Sequence, residues 1–202
     1  LLKPKGNGMQ IVLDGRPYLD VHRESRIDRD VLLRHIREAY DRLSLDFDVI
    51  VIEGSGSPAE VNLRDKDMAN MATAQMLRAP VVLIGDIDKG GVFAGLYGTY
   101  MLLREDERNM FKGFLINKFR GEEAILRNGI ERLEREMRCP CLGVLPYQRL
   151  LAPAEDSMEL GDHATWASGE GDVRDMWLRS LDDFLERIIP HFDLERLESI
   201  IE

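Results

Sequence analysis

Cysteine is scarce in this 202-residue sequence, because Cys139 and Cys141 are its only two. Two cysteines separated by one proline are too few for a disulfide framework or a four-ligand metal site. Long apolar runs are also missing, so no segment reaches the roughly 20 residues that a membrane helix needs. The start of the chain lacks the layout of a secretory signal. These absences predict a soluble, cytoplasmic protein with no membrane partner.

A basic stripe is missing as well. The formal net charge is −10, from 27 basic and 37 acidic residues. Residues 1–154 carry 23 of each sign, whereas residues 155–202 carry 14 acidic and 4 basic ones. Neutralising phosphates takes clustered cations, so nucleic acid is not expected as a partner. The charge shift predicts one domain over residues 1–158 and an acidic helical tail or linker over residues 159–202.

Short apolar runs alternate with segments of helical period. The runs lie at residues 9–13, 47–52, 81–84, 113–116 and 142–145. The first predicts an edge strand or hairpin arm, and the continuous apolar runs are typical of strands buried in a parallel sheet. Helices are predicted over residues 28–43, with Asp28 as N-cap, and over 67–77, 122–137 and 174–189. The alternation predicts an α/β fold with a mostly parallel, doubly wound sheet and a helical acidic C-terminal segment.

Polar residues stand where successive predicted strands end. Glu53 follows the run 47–52, Asp86 follows the run 81–84, and Asn117 follows the run 113–116. In such sheets a ligand binds beyond the carboxyl ends of the strands. A carboxylate at that place is suited to Mg²⁺, so Glu53 and Asp86 are candidate metal ligands. A loop carboxylate that caps the next helix would look the same, and for one acid alone both interpretations stay open.

The loops also carry groups suited to an anion. Glycines on both sides of Ser55 let the backbone approach a ligand, and Lys89 offers a mobile positive charge. Asn117 presents a donor and an acceptor to a purine edge, although a turn-forming Asn fits equally. The phosphate-binding pattern Gly-x-x-x-x-Gly-Lys-Ser/Thr occurs nowhere in the chain. Either the site does not take a nucleotide, or its first strand and loop precede Leu1, and we favour the second.

Several sequence blocks follow one another in a recognisable order. They read EGSGSPAEVNLR at residues 53–64, GDIDKGGVF at 85–93, NKFRG at 117–121 and LGVLP at 142–146, with Asp67 and Asn70-Met71 after the first. This series resembles the cobyric acid synthase family, the glutamine-dependent amidases of cobalamin synthesis. The resemblance spans roughly residues 1–158, and several blocks in register are far more specific than one glycine motif.

The resemblance implies a P-loop NTPase synthetase domain similar to that of dethiobiotin synthetase, which binds ATP and Mg²⁺. It implies a corrinoid substrate, adenosylcobyrinic acid a,c-diamide, whose side-chain carboxylates are amidated through acyl phosphates. The ammonia would come from a glutamine amidotransferase domain that this chain does not contain. The family's phosphate loop is expected upstream of Leu1, so we expect a fragment of a larger enzyme that is inactive alone. A homodimer is left open.

The resemblance also implies roles for single residues. Glu53 would bind Mg²⁺ near the phosphates, with Asp86 as a second metal candidate, and Lys3 would contact substrate. The residues implied to line the nucleotide cleft or contact the adenine are Gly54, Ser55, Gly56, Asn117 and Lys118. The residues implied to face the substrate carboxylate and the transferring phosphoryl group are Asp67, Asp86, Asp88 and Lys89. The alternative is a non-catalytic module that binds a small anion or docks a partner through the acidic tail.

Overall fold

The computed structural model describes residues 2–5, 8–22, 27–148 and 173–201. The chain divides into two compact units, Leu1–Asp46 with Arg149–Phe184, and Phe47–Gln148 with Leu185–Glu202. No helix in the described part of the chain is long and apolar enough to cross a membrane. The predicted boundary between residues 158 and 159 lies outside the described residues and stays a prediction.

The first unit contains an antiparallel sheet and a helix. Strands β1 (Leu2–Lys5), β2 (Gly8–Leu13) and β3 (Arg16–Val21) pair in the order β1-β2-β3. This confirms the hairpin arm predicted at residues 9–13, and Lys3 lies in β1. Helix α1 (Arg29–Leu43) starts where it was predicted, because the Asp28 side chain accepts a hydrogen bond of 3.1 Å from the Val31 N–H.

The second unit is built on a parallel sheet. Strands β4 (Val81–Asp86), β5 (Phe111–Phe119) and β6 (Cys141–Pro146) pair in the order β4-β5-β6. Helices α3 (Val92–Leu102), α4 (Glu105–Arg108) and α5 (Arg127–Met137) lie between them in sequence. Phe114 and Ile116 of β5 are fully buried in a core to which α3 and α5 contribute. The predicted α/β fold with a mostly parallel sheet is confirmed.

Residues 192 and 193, in the second unit, bind the outer edge of the parallel sheet at β6. Helix α6 (Val173–Ile188) is followed by a 3-10 turn, Ile189–His191, and by α7 (Leu194–Ile201). The Asp193 N–H donates to the Leu142 carbonyl at 2.8 Å, and Gly143 forms an antiparallel bridge with Phe192. The helix predicted over residues 174–189 is therefore present, and the residues after it protect the edge of β6 that β5 does not occupy.

The strand predicted over residues 47–52 does not form. This run is irregular, and Val51 is 92% exposed. At the other side of the sheet, Ile84 in β4 is 60% exposed, and no strand in the described ranges pairs with β4 apart from β5. An extended segment becomes a strand only when a neighbouring backbone satisfies its N–H and C=O groups. The prediction is wrong because the apolar run has no such partner among the described residues.

Two predicted helices are shorter than expected. The helix predicted from Asp67 begins at Met71, as α2 (Met71–Leu77), and a 3-10 helix, Val61–Lys66, precedes it. Asp67 stays outside α2 because its carboxylate accepts the N–H groups of Asn70 and Ala72, at 3.0 and 2.9 Å. The helix predicted over residues 122–137 divides into a 3-10 turn, Glu123–Leu126, and α5. Short polar side chains that bond the backbone favour such interruptions.

Candidate functional site

The carboxyl ends of β4 and β5 bring two of the predicted site residues together. Asp86, the last residue of β4, stands in register with Asn117 in β5. The Ile87 N–H donates to the Asn117 carbonyl at 3.0 Å, which continues the pairing beyond β4. These two residues lie at the edge of the sheet where α/β folds bind their ligands.

Lys118 has an unusual backbone conformation at this edge. Its φ of 65° is in the left-handed region, which a residue other than glycine occupies at a cost of about 1–3 kcal/mol. Its N–H donates to the Asn117 Oδ1 at 2.9 Å, and its Nζ donates to the Asp86 Oδ2 at 2.7 Å. The strained backbone thus directs the ammonium group across the sheet edge towards the end of β4.

Asp86, Asn117 and Lys118 form a polar cluster at this edge of the sheet. A second ion pair extends this polar cluster towards β6. Asp88 pairs with Arg120, whose guanidinium lies 3.6 Å above the centre of the Tyr147 ring. The Tyr147 N–H donates to the Phe119 carbonyl at 2.8 Å. The loops after β4, β5 and β6 are therefore joined by polar and cation–π contacts. Sequence reasoning missed Arg120 and Tyr147, although Arg120 belongs to the NKFRG block.

Asp86 already has partners for both carboxylate oxygens. Oδ1 accepts the Asp88 N–H at 2.9 Å, and Oδ2 accepts the Lys118 ammonium. Binding a cation with Asp86 would therefore replace the contact with Lys118. Residues 2–5, 8–22, 27–148 and 173–201 contain no group of three or more His, Cys, Asp or Glu placed to hold a metal. Two carboxylates completed by phosphate oxygens and water would still suit Mg²⁺.

The loop between β4 and α3 is open. Lys89 is exposed and forms no ion pair with any residue that the structure describes. Gly90 and Gly91 have φ values of 78° and 71°, and no atom would lie within 4 Å of a β-carbon at either position. Glycine is required here because side chains rarely adopt this conformation. The arrangement leaves an accessible backbone turn and a free cation, both suited to an anionic ligand.

A hydrogen-bonded clamp holds the glycine-rich loop of residues 54–57. The Asn70 Oδ1 accepts the Ser55 N–H at 3.0 Å, and the Asn70 Nδ2 donates to the Ser55 carbonyl at 2.8 Å. Asp67 binds the Asn70 N–H in turn. A β-carbon on Gly54 would lie 2.1 Å from the Asn70 Oδ1, so this glycine permits the close approach. The structure thus places Ser55 and Asp67 in one cluster and adds Asn70, to which the sequence analysis gave no role.

Glu53 differs from the other predicted strand-end residues. It is exposed and follows the irregular run 47–52, so the expectation that it directly ends a strand is wrong. Gly54 and Gly56 next to it are also exposed. Its predicted role as a Mg²⁺ ligand, like the other predicted roles in the site, stays a prediction.

The two thiols do not offer a nucleophile. Cys139 is buried, and burial raises its pKa to about 11. Burial also raises the pKa of the Cys141 thiol. Because the thiolate is the reactive form, burial lowers the reactivity of both cysteines.

Comparison with known proteins identifies the family of this chain. Residues 16–155 match the family described as AAA domain. A probable cobyric acid synthase from Methanosarcina mazei is 44% identical over 204 aligned residues, which cover 100% of this chain and 41% of that protein. A cobyric acid synthase from Clostridium botulinum is 48% identical over 162 residues, or 77% of this chain and 32% of that protein. No solved structure matches the chain.

The chain spans about two fifths of the length of the curated relatives it matches first. The family match covers the whole parallel sheet and every block quoted from the sequence. The fold is therefore α/β of the P-loop NTPase type, and the resemblance to cobyric acid synthases is confirmed. The relatives that the chain resembles are named cobyric acid synthases, and the chain belongs to the AAA domain family.

Proposed function

We propose that this chain is part of an ATP-dependent amidoligase of cobalamin biosynthesis, with adenosylcobyrinic acid a,c-diamide as substrate. The observation that carries the proposal is the polar cluster at one edge of the sheet, where Asp86, Asn117 and Lys118 meet. The alignment with cobyric acid synthases over the whole chain supports it. The amidotransferase domain that would supply ammonia is not among these 202 residues.

The chemistry answers a simple problem, because a carboxylate is a poor electrophile. A substrate carboxylate oxygen would attack the γ-phosphorus of ATP, forming an acyl phosphate and releasing ADP. Ammonia would then attack the acyl carbon, phosphate would leave with the C–O bond electrons, and the nitrogen would lose a proton. Positioning and charge neutralisation are the main tasks of a protein in phosphoryl transfer.

The residues present suit ATP and Mg²⁺. Glu53 and Asp86 supply the hard oxygen donors that Mg²⁺ prefers, and Lys89 and Lys118 supply cations for phosphates. Bound Mg²⁺ would neutralise charge on the phosphate oxygens. In this proposal Asn117 binds the adenine edge, with residues 54–56 lining the cleft. Asp67, Asp88 and Lys89 face the substrate and the transferring phosphoryl group.

The proposed ATP site needs a phosphate-binding loop, which in this fold follows a strand. The edge of β4 that β5 does not occupy could pair with that strand. We propose that a strand from the rest of the enzyme pairs with the free edge of β4. The exposure of Ile84 and of the apolar run 47–52 supports this arrangement. One added strand would cover apolar surface that is now in water.

The test is Glu53→Gln in the larger enzyme, with Glu60→Gln, a second exposed acid nearby, as the matched control. We expect Glu53→Gln to abolish ATP hydrolysis while leaving the circular dichroism spectrum and melting temperature unchanged. Glu60→Gln should keep nearly full hydrolysis. Unchanged turnover in Glu53→Gln would remove Glu53 from the mechanism.

The alternative is a non-catalytic module that binds a small anion. The pairing of Asp86 with Lys118 and of Asp88 with Arg120 favours it, because these acids are already neutralised. Isothermal titration of this chain with ATP and Mg²⁺ separates the two. Binding without turnover, even when the rest of the enzyme is added, supports the module; turnover in the larger enzyme supports the ligase.

A further inference from the structure

A buried carboxylate lies in a place that the proposed chemistry does not use. The side chain of Glu107, in α4, is only 4% exposed. It forms an ion pair with Arg64, and the Arg104 N–H donates to the same carboxylate at 2.8 Å. The Arg104 Nη2 lies 3.3 Å from its other oxygen. The Arg64 side chain is 30% exposed, so the buried charge of the pair is that of Glu107, and removing Arg64 would leave this carboxylate without its main counter-charge.

Arg64 joins three elements. It lies in the 3-10 helix Val61–Lys66, contacts Glu107 in α4, and donates through Nη1 to the Leu102 carbonyl at the end of α3, at 3.3 Å. Its Nε is buried and has no hydrogen-bond partner among the residues described. An unsatisfied buried N–H is unfavourable. The other two nitrogens of the guanidinium are bonded to Leu102 and Glu107, and these contacts offset the unfavourable burial of Nε.

Direct hydrogen bonds lead from Arg64 to the glycine-rich loop. The Asp67 N–H donates to the Arg64 carbonyl at 3.1 Å. The Asp67 carboxylate binds the N–H groups of Asn70 and Ala72, and the Asn70 side chain binds both backbone groups of Ser55. The buried ion pair is thus connected, bond by bond, to the loop at residues 54–57.

We propose that Glu107 and Arg64 are positioning residues that hold the loop at residues 54–57 in its working place. The segment from residue 47 to residue 60 has no helix or strand of its own, so polar contacts must fix it. The pair restricts the motion of the segment, because Glu107 is bonded by Arg64 and Arg104 and Arg64 also bonds the Leu102 carbonyl. The consequence for catalysis rests on the proposed function, whereas the consequence for loop stability does not.

The first experiment measures amide hydrogen exchange in this chain. The variants are Glu107→Gln, which removes the charge, and Arg64→Lys, which keeps the charge but loses the planar fork of donors. The control is Asp106→Asn, because Asp106 neighbours Glu107 in α4 but is exposed, with side-chain contacts to Arg104 and Gln75. The reporters are the N–H groups of Ser55, Asn70 and Ala72, with Ile116 in β5 as the reference.

We expect exchange at the three reporters in Glu107→Gln to accelerate by about tenfold or more beyond any acceleration at Ile116, and we expect the control variant to change by less than about twofold. Unchanged reporters would overturn the proposal. Equal acceleration at Ile116 would also overturn it, because it would mean a general loss of stability. If Glu107→Gln does not fold, Arg64→Lys decides by the same criteria.

The second experiment measures steady-state amidation in the larger enzyme. We expect Arg64→Lys to lower kcat about tenfold while the KM for the corrinoid changes less than about twofold, because misplaced groups weaken the transition state more than the ground state. A normal kcat together with faster exchange would overturn the positioning role. Absence of amidation in the wild-type enzyme would instead refute the proposed function, and the exchange result would still decide whether the pair holds the loop.

Discussion

The parallel sheet has two outer strands with different surroundings. β6 is covered by residues 192 and 193, and its Leu142 is fully buried. β4 has no second neighbour among the described residues, and its Ile84 is largely exposed. Both strands are short and apolar, so composition does not distinguish them. The comparison teaches that an apolar run becomes core only when another segment is available to cover it.

The largest expected effect comes from uncovering β6. Gly143 has a φ of 156°, and a β-carbon there would lie 2.2 Å from the His191 carbonyl oxygen. Gly143→Ala should therefore push residues 191–193 away and lower the free energy of unfolding by about 3 kcal/mol. Urea denaturation measures this. The control is Gly95→Ala in α3. A β-carbon at Gly95 would have no atom within 4 Å outside its own helix backbone, so this variant should not destabilise the chain.

The next effect sharpens the contrast between the two edges. Val144→Ala removes a buried side chain of β6 and should cost about 2 kcal/mol. Val51→Ala, in the exposed run, should cost less than about 0.5 kcal/mol in this chain. Urea denaturation of both variants gives the difference. Equal losses would mean that residues 47–52 are already packed.

A smaller effect concerns the polar cluster at the carboxyl end of β4. The side chains of Lys118 and Asp86 are 45% and 40% exposed, so water screens the attraction between their charges. Asp86→Asn should therefore change the free energy of unfolding by less than about 1 kcal/mol. Thermal melting of Asp86→Asn measures this. The comparison variant is Asp41→Asn, which removes the exposed ion pair between Arg37 and Asp41 in α1. A loss of several kcal/mol would show that the cluster is structural and not held ready for a ligand.

A pH dependence beside β6 is expected as well. The folded-state pKa of Cys139 is raised to about 11 by burial, above its ordinary value of 9.0. Between those two pH values the unfolded chain loses the thiol proton and the folded chain keeps it, so stability should fall as pH rises from about 9 to about 11. Melting temperatures recorded across that range in wild type and Cys139→Ala test this. The same slope in both would assign the effect to other groups.

Much of the second unit could be predicted from the sequence. The apolar runs at 81–84, 113–116 and 142–145 correspond to β4, β5 and β6, because strands of a parallel sheet are continuously apolar. Because neighbouring parallel strands end at the same edge of a sheet, the predicted strands also brought Asp86 and Asn117 together there. The same pattern at residues 47–52 predicted a strand that does not form. Apolar composition indicates that a segment tends to be buried, but it does not indicate which other segment will cover it.

Within the site, contacts between distant residues could not be predicted. Nothing local marks Glu107 as the partner of Arg64, which lies 43 residues earlier. Arg120 and Tyr147 meet only because β5 and β6 are adjacent. The role of Asp67 as a functional acid stays a prediction, and its bonds to Asn70 and Ala72 depend on where α2 begins.

The sequence by itself determined the three parallel strands, the N-cap and period of α1, and the motif blocks that mark the family. These features are local, because periodicity and capping act within a few residues. Only the tertiary structure decided which edge of the sheet is covered, which cations neutralise Asp86 and Asp88, and which acid is buried against Arg64. Those outcomes depend on the distances between segments far apart in the chain, and packing alone sets such distances.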